Sequence, residues 1–315
     1  MTIVGWVDEL ADSSELVGDH EALRGRLAAD GYLFFRGLLP AGQVRAAGAA
    51  VLARLHRGGW AAADGAVSGP SRAAGPGLPG RKGTLRQDAL ADPAYRAAVI
   101  GVAFNHIPYL PPLRGLVRGI LGAGAFSYPV KVLRAVYPEQ HERRTLGRYV
   151  HYDYGAAGVQ DMLTSWIPLM DIPVRLGGLA VEPGGHRKRL RRPHLLDPAE
   201  RGWATTGYRA GDVIIFHSLT PHAVLPNTGS RLRISGDFRW QSPDQRAPAE
   251  FILGPGGRRE LFSRLFRWQR WWEPVPAGLS LCPKDQLIAI APGPSRFFPV
   301  HRSWQHWRPP PGAVH

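Results

Sequence analysis

Between residues 126 and 240 the chain is a succession of short apolar and aromatic runs, each cut off by Gly or Pro. They are FSYPVKVLRAVYP (126–138), DMLTSWIPLMDI (161–172), GLAVEPG (178–184), GDVIIFHS (211–218) and SRLRISGDFRW (230–240). Repeated short runs punctuated in this way read as strands, and several of them following a helical start suggest an antiparallel double-sheet jelly roll. The helical start is legible too. Leu23, Leu27 and Ala28 share one side of a helix over 20–29, and GYLFFRG (31–37) is a strand bounded by glycines. Val44, Ala47, Val51 and Leu55 then recur at helical spacing from Pro40 to His56, with proline suited to the first turn. Residues 111–121 predict a further helix. The expected fold class is therefore mainly β with flanking helices around a jelly-roll core.

Two segments stand apart from this pattern. Residues 57–90 are rich in Gly, Pro, Ala and Ser, the composition of a lid, a binding loop or an insertion. From 258 onward a helix, RRELFSRLFRWQRWW, leads into a Pro-rich aromatic end whose Trp268, Trp271, Trp272, Phe297, Phe298 and Trp304 are expected to pack on outer helices or a dimer contact. With no internal repeat and no clean linker, a single domain is expected over 1–315, its core at about 20–245 and an extension at 246–315.

The formal charge of +14 comes from 39 basic against 25 acidic residues, and the only lysines are Lys82, Lys131, Lys188 and Lys284. The arginines are scattered and no nucleic-acid-binding motif accompanies them, so an anionic small substrate is the expected partner rather than DNA or RNA. Cys282 is the only cysteine, which excludes an internal disulfide or a thiolate metal site. The start of the chain lacks the pattern of a signal peptide, and no apolar run is long enough to span a bilayer. A cytoplasmic protein, monomeric or homodimeric, is expected.

Metal-ligand residue types fall on the predicted strands. His151 and Asp153 stand two apart in YVHYDYG, so on a strand both reach one side with Tyr152 turned away. His222 lies just beyond the run GDVIIF, where a returning strand brings it beside that pair. Two histidines and one carboxylate are the facial set that suits non-haem ferrous iron with open positions. His217 competes with His222 as ligand, and His186 in PGGHRK is read as structural. Arg233 and Ser235 also share a strand face, and a planar guanidinium beside a hydroxyl suits a carboxylate. Arg231 is the competitor; Arg233 is preferred for its spacing from His222 and for Ser235.

Taken together, DGYLFFRGLLP, H-x-D, a tryptophan strand, GGLAVEPGGHRK, GDVIIFHSLTPHAVLPN and R-x-S resemble the phytanoyl-CoA dioxygenase family over roughly residues 20–241. That resemblance implies a double-stranded β-helix oxygenase using Fe(II), 2-oxoglutarate and O2. It implies His151, Asp153 and His222 as iron ligands and catalytic residues, Arg233 with Ser235 on the distal carboxylate of 2-oxoglutarate, and Trp166 lining the co-substrate pocket. It also implies release of succinate and carbon dioxide and hydroxylation of an unactivated C–H bond. Related halogenases carry Ala or Gly at the carboxylate position, so Asp153 disfavours chlorination; desaturation, epoxidation and cyclisation stay open. Natural-product or other secondary metabolism is the favoured setting.

Lys131 is a further co-substrate candidate, although Lys131 and Arg134, three apart on one predicted strand, point to opposite faces. The bland reading is one solvated charge and one structural ion pair. Trp60, Arg144 and Arg148 are the weak candidates for a substrate wall or lid. The competing functions are a β-helix binding or sensor protein without turnover, and a zinc hydrolase on the same triad. The dicarboxylate clamp argues against both.

Overall fold

The computed structural model describes residues 7–66, 92–138, 149–190, 194–195, 202–253 and 275–309. Arg144, Arg148, most of the 57–90 segment and residues 258–272, where the sequence predicts a helix, lie outside the described residues.

The fourteen strand segments of the described residues build two principal sheets and two two-stranded ones. The larger sheet runs β2 (Tyr32–Phe35), β10 (Val213–His217), β6 (Leu163–Pro168) and β12 (Arg233–Gln241), all antiparallel, with β3 (Phe126–Ser127) and β4 (Val132–Val136) sharing the far edge of β12. The smaller sheet runs β1 (Val7–Glu9), β9 (Trp203–Thr205), β7 (Leu179–Val181) and β11 (His222–Val224). A bridge between His151 and His222 links β11 to the end of β5 (Tyr149–Val150), which pairs with β8 (His194–Leu195). The two sheets form the expected double-stranded β-helix.

Period-two alternation sorts the larger sheet into two faces. Leu33, Phe35, Val213, Ile215, Ile234, Phe238 and Trp240 turn outward onto α1 (His20–Asp30), α2 (Ala41–Arg57) and the helix Pro111–Leu121, whose Leu23, Val51 and Val117 complete that core. Tyr32, Phe34, Trp166, Ile214 and Phe216 turn inward against Leu179 and Val181 of the smaller sheet and against Tyr208, which follows β9. Each such side chain removed from water contributes about 1.5–3 kcal/mol, so the helical layer is what stiffens the sheet from behind.

The predicted single strand over 126–138 is two strands. Pro129 cannot donate to the ladder, and the Lys131 ammonium turns back to the Tyr128 carbonyl, so pairing to β12 lapses between β3 and β4. The aromatic tail also departs from expectation. Trp304 meets Tyr152 edge-on at 4.9 Å, Trp307 meets Tyr154 at 5.4 Å, and Phe298 lies against both His217 and His186. These residues cover the back of the loop that carries His151 and Asp153, not the outer helices. The reason is chemical: the loop presents two tyrosine faces that need apolar cover.

One turn joins these layers. Gly31 caps α1 in the left-handed region at φ 79°, and its carbonyl accepts the His217 N–H (3.0 Å) and the Thr220 hydroxyl (2.7 Å). A Cβ there would collide with His186 Nδ1 and with Thr220 Oγ1. Gly31→Ala is expected to lower stability by about 2–5 kcal/mol, adding left-handed strain to overpacking, as read by urea denaturation. A loss below ~1 kcal/mol would show that the turn relaxes.

Candidate metal centre

His151 and His222 are brought together by their own bridge, each N–H donating to the other's carbonyl at 3.0 and 3.1 Å. Their rings lie 4.1 Å apart. Asp153 is not on a strand, contrary to the sequence reading; it stands at the N-terminal end of the short helix Tyr154–Ala157, with helical φ and ψ. The chain turns there because the Tyr154 N–H is taken by the Ser218 carbonyl, and the turn swings the carboxylate inward. One ligand atom from each of His151, Asp153 and His222 lies within 4.8 Å of the others, the one such grouping of three among the described residues.

The arrangement is prepared for a cation. His222 Nδ1 lies 3.0 Å from the Thr220 carbonyl; the ring N–H donates there, which leaves Nε2 with its lone pair 3.8 Å from Asp153 Oδ1. Burial lowers the pKa of His222, so the ring is neutral and able to ligate. Burial works against the Asp153 carboxylate, but Arg239, His222, His151 and the Thr164 hydroxyl outweigh it and hold the group far below the usual carboxylate range. Thr164 donates to Oδ2 at 2.5 Å and Arg239 to Oδ1 at 3.3 Å.

Strand β12 supplies the rest of the chamber. Arg233, Ser235, Asp237, Arg239 and Gln241 are all buried, and β12 pairs these positions with inward-facing Trp166 and Thr164. Arg233 donates through Nη1 to Ser235 Oγ (3.2 Å), while its Nε and Nη2 have no partner. Its guanidinium carbon lies 5.9 Å from the Trp166 ring centre, and the indole N–H of Trp166 is also unpartnered. Burial, then the neighbouring Arg134, lowers Arg233 to about 9, so it remains cationic at neutral pH. Buried donors without acceptors are costly, and a carboxylate arriving between Arg233, Ser235 and Trp166 would satisfy them.

The other sequence candidates sit elsewhere. Arg231 precedes the strand, is exposed and donates to the Asp64 carbonyl, so it does not share the buried face of Arg233. His217 Nε2 donates to Asp161 (3.2 Å) and its Nδ1 accepts the Leu219 N–H, turned away from the triad. Lys131 is buried but engaged with Tyr128, Ser127 (3.0 Å) and Tyr109 (3.3 Å). Arg134 is buried as well, paired with Asp237 at 2.7 Å through Nε. The expectation of one solvated charge therefore fails: Lys131 lies in the break and turns back onto Tyr128, while Arg134 lies within β4 opposite Ser235 and reaches Asp237. Trp60 is no lid residue: it is buried between Tyr95 and Tyr137, with ring centres at 5.5 and 6.0 Å. Sequence reasoning missed Thr164, Asp237 and Arg239. Extending the parity of Arg233 and Ser235 by two and four residues would have found the last two.

His186 is buried, bonded to the Ala28 carbonyl at 3.1 Å and stacked edge-on against Phe298. Burial pushes its pKa down to about 3. A histidine whose folded pKa lies below its unfolded value stabilises the fold above about pH 6.5, and that contribution is lost as the pH falls toward 3. Stability is expected to fall by roughly 1.4 kcal/mol per pH unit from this group over that window. A His186→Gln variant with the same pH slope would remove His186 from the account.

No helix among the described residues is long and apolar enough to cross a membrane. The family model for phytanoyl-CoA dioxygenase (PhyH) matches residues 27–235. Two curated relatives are each named 1-deoxypentalenic acid 11-beta-hydroxylase. The one from Streptomyces arenae is 27% identical over 261 residues, covering 74% of this chain and 85% of the relative. The one from Streptomyces exfoliatus is 26% identical over 258 residues, covering 75% and 86%. Among solved structures, EctD from S. alaskensis with bound Fe aligns at a TM-score of 0.51 with 16% identity, over 88% of this chain and 92% of that one. It shares the fold.

Proposed function

The chain belongs to the phytanoyl-CoA dioxygenase family, and on that footing we propose that it is an Fe(II)- and 2-oxoglutarate-dependent oxygenase that hydroxylates a C–H bond of a small organic molecule in secondary metabolism. The observation that carries the reading is the pairing of two features in one chamber. One is a His151–Asp153–His222 cluster with ligand atoms within 4.8 Å of one another, and the other is a buried Arg233 with two donors that no described residue satisfies. A zinc hydrolase or a binding module has no use for the second feature.

The donor set fits ferrous iron: two neutral imidazoles and one carboxylate on one side leave positions open for exogenous ligands. When bound, the iron with 2-oxoglutarate and O2 supplies the oxidising power, and succinate and CO2 leave. The chain's own residues do the rest. Thr164 and Arg239 fix both oxygens of Asp153, and the Thr220 carbonyl fixes the tautomer of His222. Arg233 and Ser235 orient the distal carboxylate of the co-substrate, with the Trp166 ring as the wall beside it. Phe216, whose ring lies 4.4 Å from that of His222, helps exclude water from that side. The two hydroxylase relatives act on an acid by their names, which supports a small carboxylic acid as the substrate class here.

The test is an anaerobic titration of the metal-free protein with Fe(II) and 2-oxoglutarate, watching for the visible charge-transfer band of the chelate. Its appearance supports the assignment, and screening for substrate-stimulated succinate release follows. Bound metal without the band would sink the 2-oxoglutarate reading.

A further inference from the structure

Arg239 is used by the triad only in part. It is 3% exposed, at the metal end of β12, and Nη2 donates to Asp153 Oδ1 at 3.3 Å. Nε and Nη1 are buried with no partner. The guanidinium carbon lies 5.0 Å from the centre of the Phe251 ring, which shields it from water. The neighbouring polar groups do not satisfy them. The Tyr128 hydroxyl donates to the Gln241 side chain at 2.5 Å, and Arg134 holds Asp237 through Oδ2; Asp237 Oδ1 is unpartnered too, but it takes no hydrogen bond from Arg239. Holding Asp153 needs one N–H of Nη2, which leaves N–H groups on Nε and Nη1 that no acceptor among the described residues takes.

Charge points to what that acceptor is. The inner wall carries Arg134, Arg233 and Arg239 against Asp153 and Asp237, an excess of one positive charge before any metal binds. Six residues of strand, about 20 Å, separate Arg233 from Arg239, so the two do not grip one carboxylate group between them.

We propose that Arg239 is a second anion-binding residue of this site, receiving a carboxylate that lies against the metal. The proposal rests on the oxygenase reading above. That carboxylate is either the near carboxylate of the 2-oxoacid or an acidic group of the organic substrate. Nε and Nη1 lie on different edges of the planar guanidinium, and each offers an unpartnered N–H that serves a carboxylate from either source.

Calorimetry on the Mn(II)-loaded protein separates them. Manganese affinity is read first by electron paramagnetic resonance, so that an altered triad is not mistaken for lost anion binding. Oxalate, which chelates metal yet lacks the distal arm, 2-oxoglutarate, and benzoate added on top of 2-oxoglutarate are the probes. If the 2-oxoacid is the source, Arg239→Gln weakens oxalate and 2-oxoglutarate alike by about tenfold or more, whereas Arg233→Leu weakens only 2-oxoglutarate. If the substrate is the source, Arg239→Gln spares both and abolishes benzoate binding. Arg239→Lys keeps a cation beside Asp153 and the manganese affinity, but loses the directed N–H groups of Nε and Nη1 and is expected to show the same anion deficit. Unchanged binding of all three probes in both variants, or no binding of any probe to the wild type, would overturn the proposal. Failure of wild-type protein to bind 2-oxoglutarate while still binding oxalate or benzoate through Arg239 would strike the co-substrate reading and leave this one standing.

Discussion

Replacing Asp153 with alanine is expected to abolish turnover and to cost the fold about 3–5 kcal/mol, a double effect that a purely ligating carboxylate would not have. The first part follows from the donor set. With Asp153 gone only two imidazoles remain, and the loss of metal affinity should exceed the roughly 10–100-fold typical when an outer partner of a ligand is removed. The second part follows from Arg239. Its buried guanidinium has Asp153 as its one ion-pair partner among the described residues, so truncation strands a charge beneath Phe251. Thr164 loses its acceptor in the same step. Asp153→Asn separates the two effects, because the amide keeps an acceptor for Arg239 while ligating poorly. It should lose turnover with a smaller stability loss. Urea denaturation and Fe(II) titration read both quantities. Retained hydroxylation in Asp153→Ala would mean that another carboxylate holds the metal.

Arg233→Leu is expected to raise the 2-oxoglutarate requirement by about two orders of magnitude while leaving stability nearly unchanged. Truncating one partner of a buried, hydrogen-bonded charge pair costs about 2–5 kcal/mol, and each 1.4 kcal/mol is tenfold. Stability behaves differently because Arg233 has no counter-ion of its own: Nε and Nη2 are unpartnered and only Ser235 accepts from it. Exchanging an unpaired buried cation for an apolar side chain removes a desolvation cost rather than a contact. Arg231→Leu, at an exposed position bonded to the Asp64 carbonyl, should change the requirement by less than about twofold. Initial rates of succinate formation against 2-oxoglutarate concentration measure both variants. The reverse ranking would move the clamp to Arg231.

Much of the architecture was legible because its signals are local. Helices over 20–30, 41–57 and 111–121 follow apolar spacing and Gly or Pro stops, and the strands of the larger sheet match the short runs cut by Gly and Pro. The resemblance to the family named the three residues that the structure brings together, even though the local geometry assumed for one of them was wrong. Asp153 reaches the metal end from a helical turn, which two-residue strand spacing does not describe. Lys131 was misplaced for a similar reason, since Pro129 breaks a strand that composition alone makes continuous.

What the sequence by itself determined is the alternation along β12 and the order of elements that folds it against β6. Those depend on side-chain type and spacing within a few residues. What only the tertiary structure decided is which polar groups end up paired. Arg134 finds Asp237 across 103 residues, Arg239 finds Asp153 across 86, and Arg233 finds no carboxylate among the described residues. In a low-dielectric interior, pairing separates a structural charge from one left waiting for a ligand, and it is set by distances between strands that no local pattern encodes.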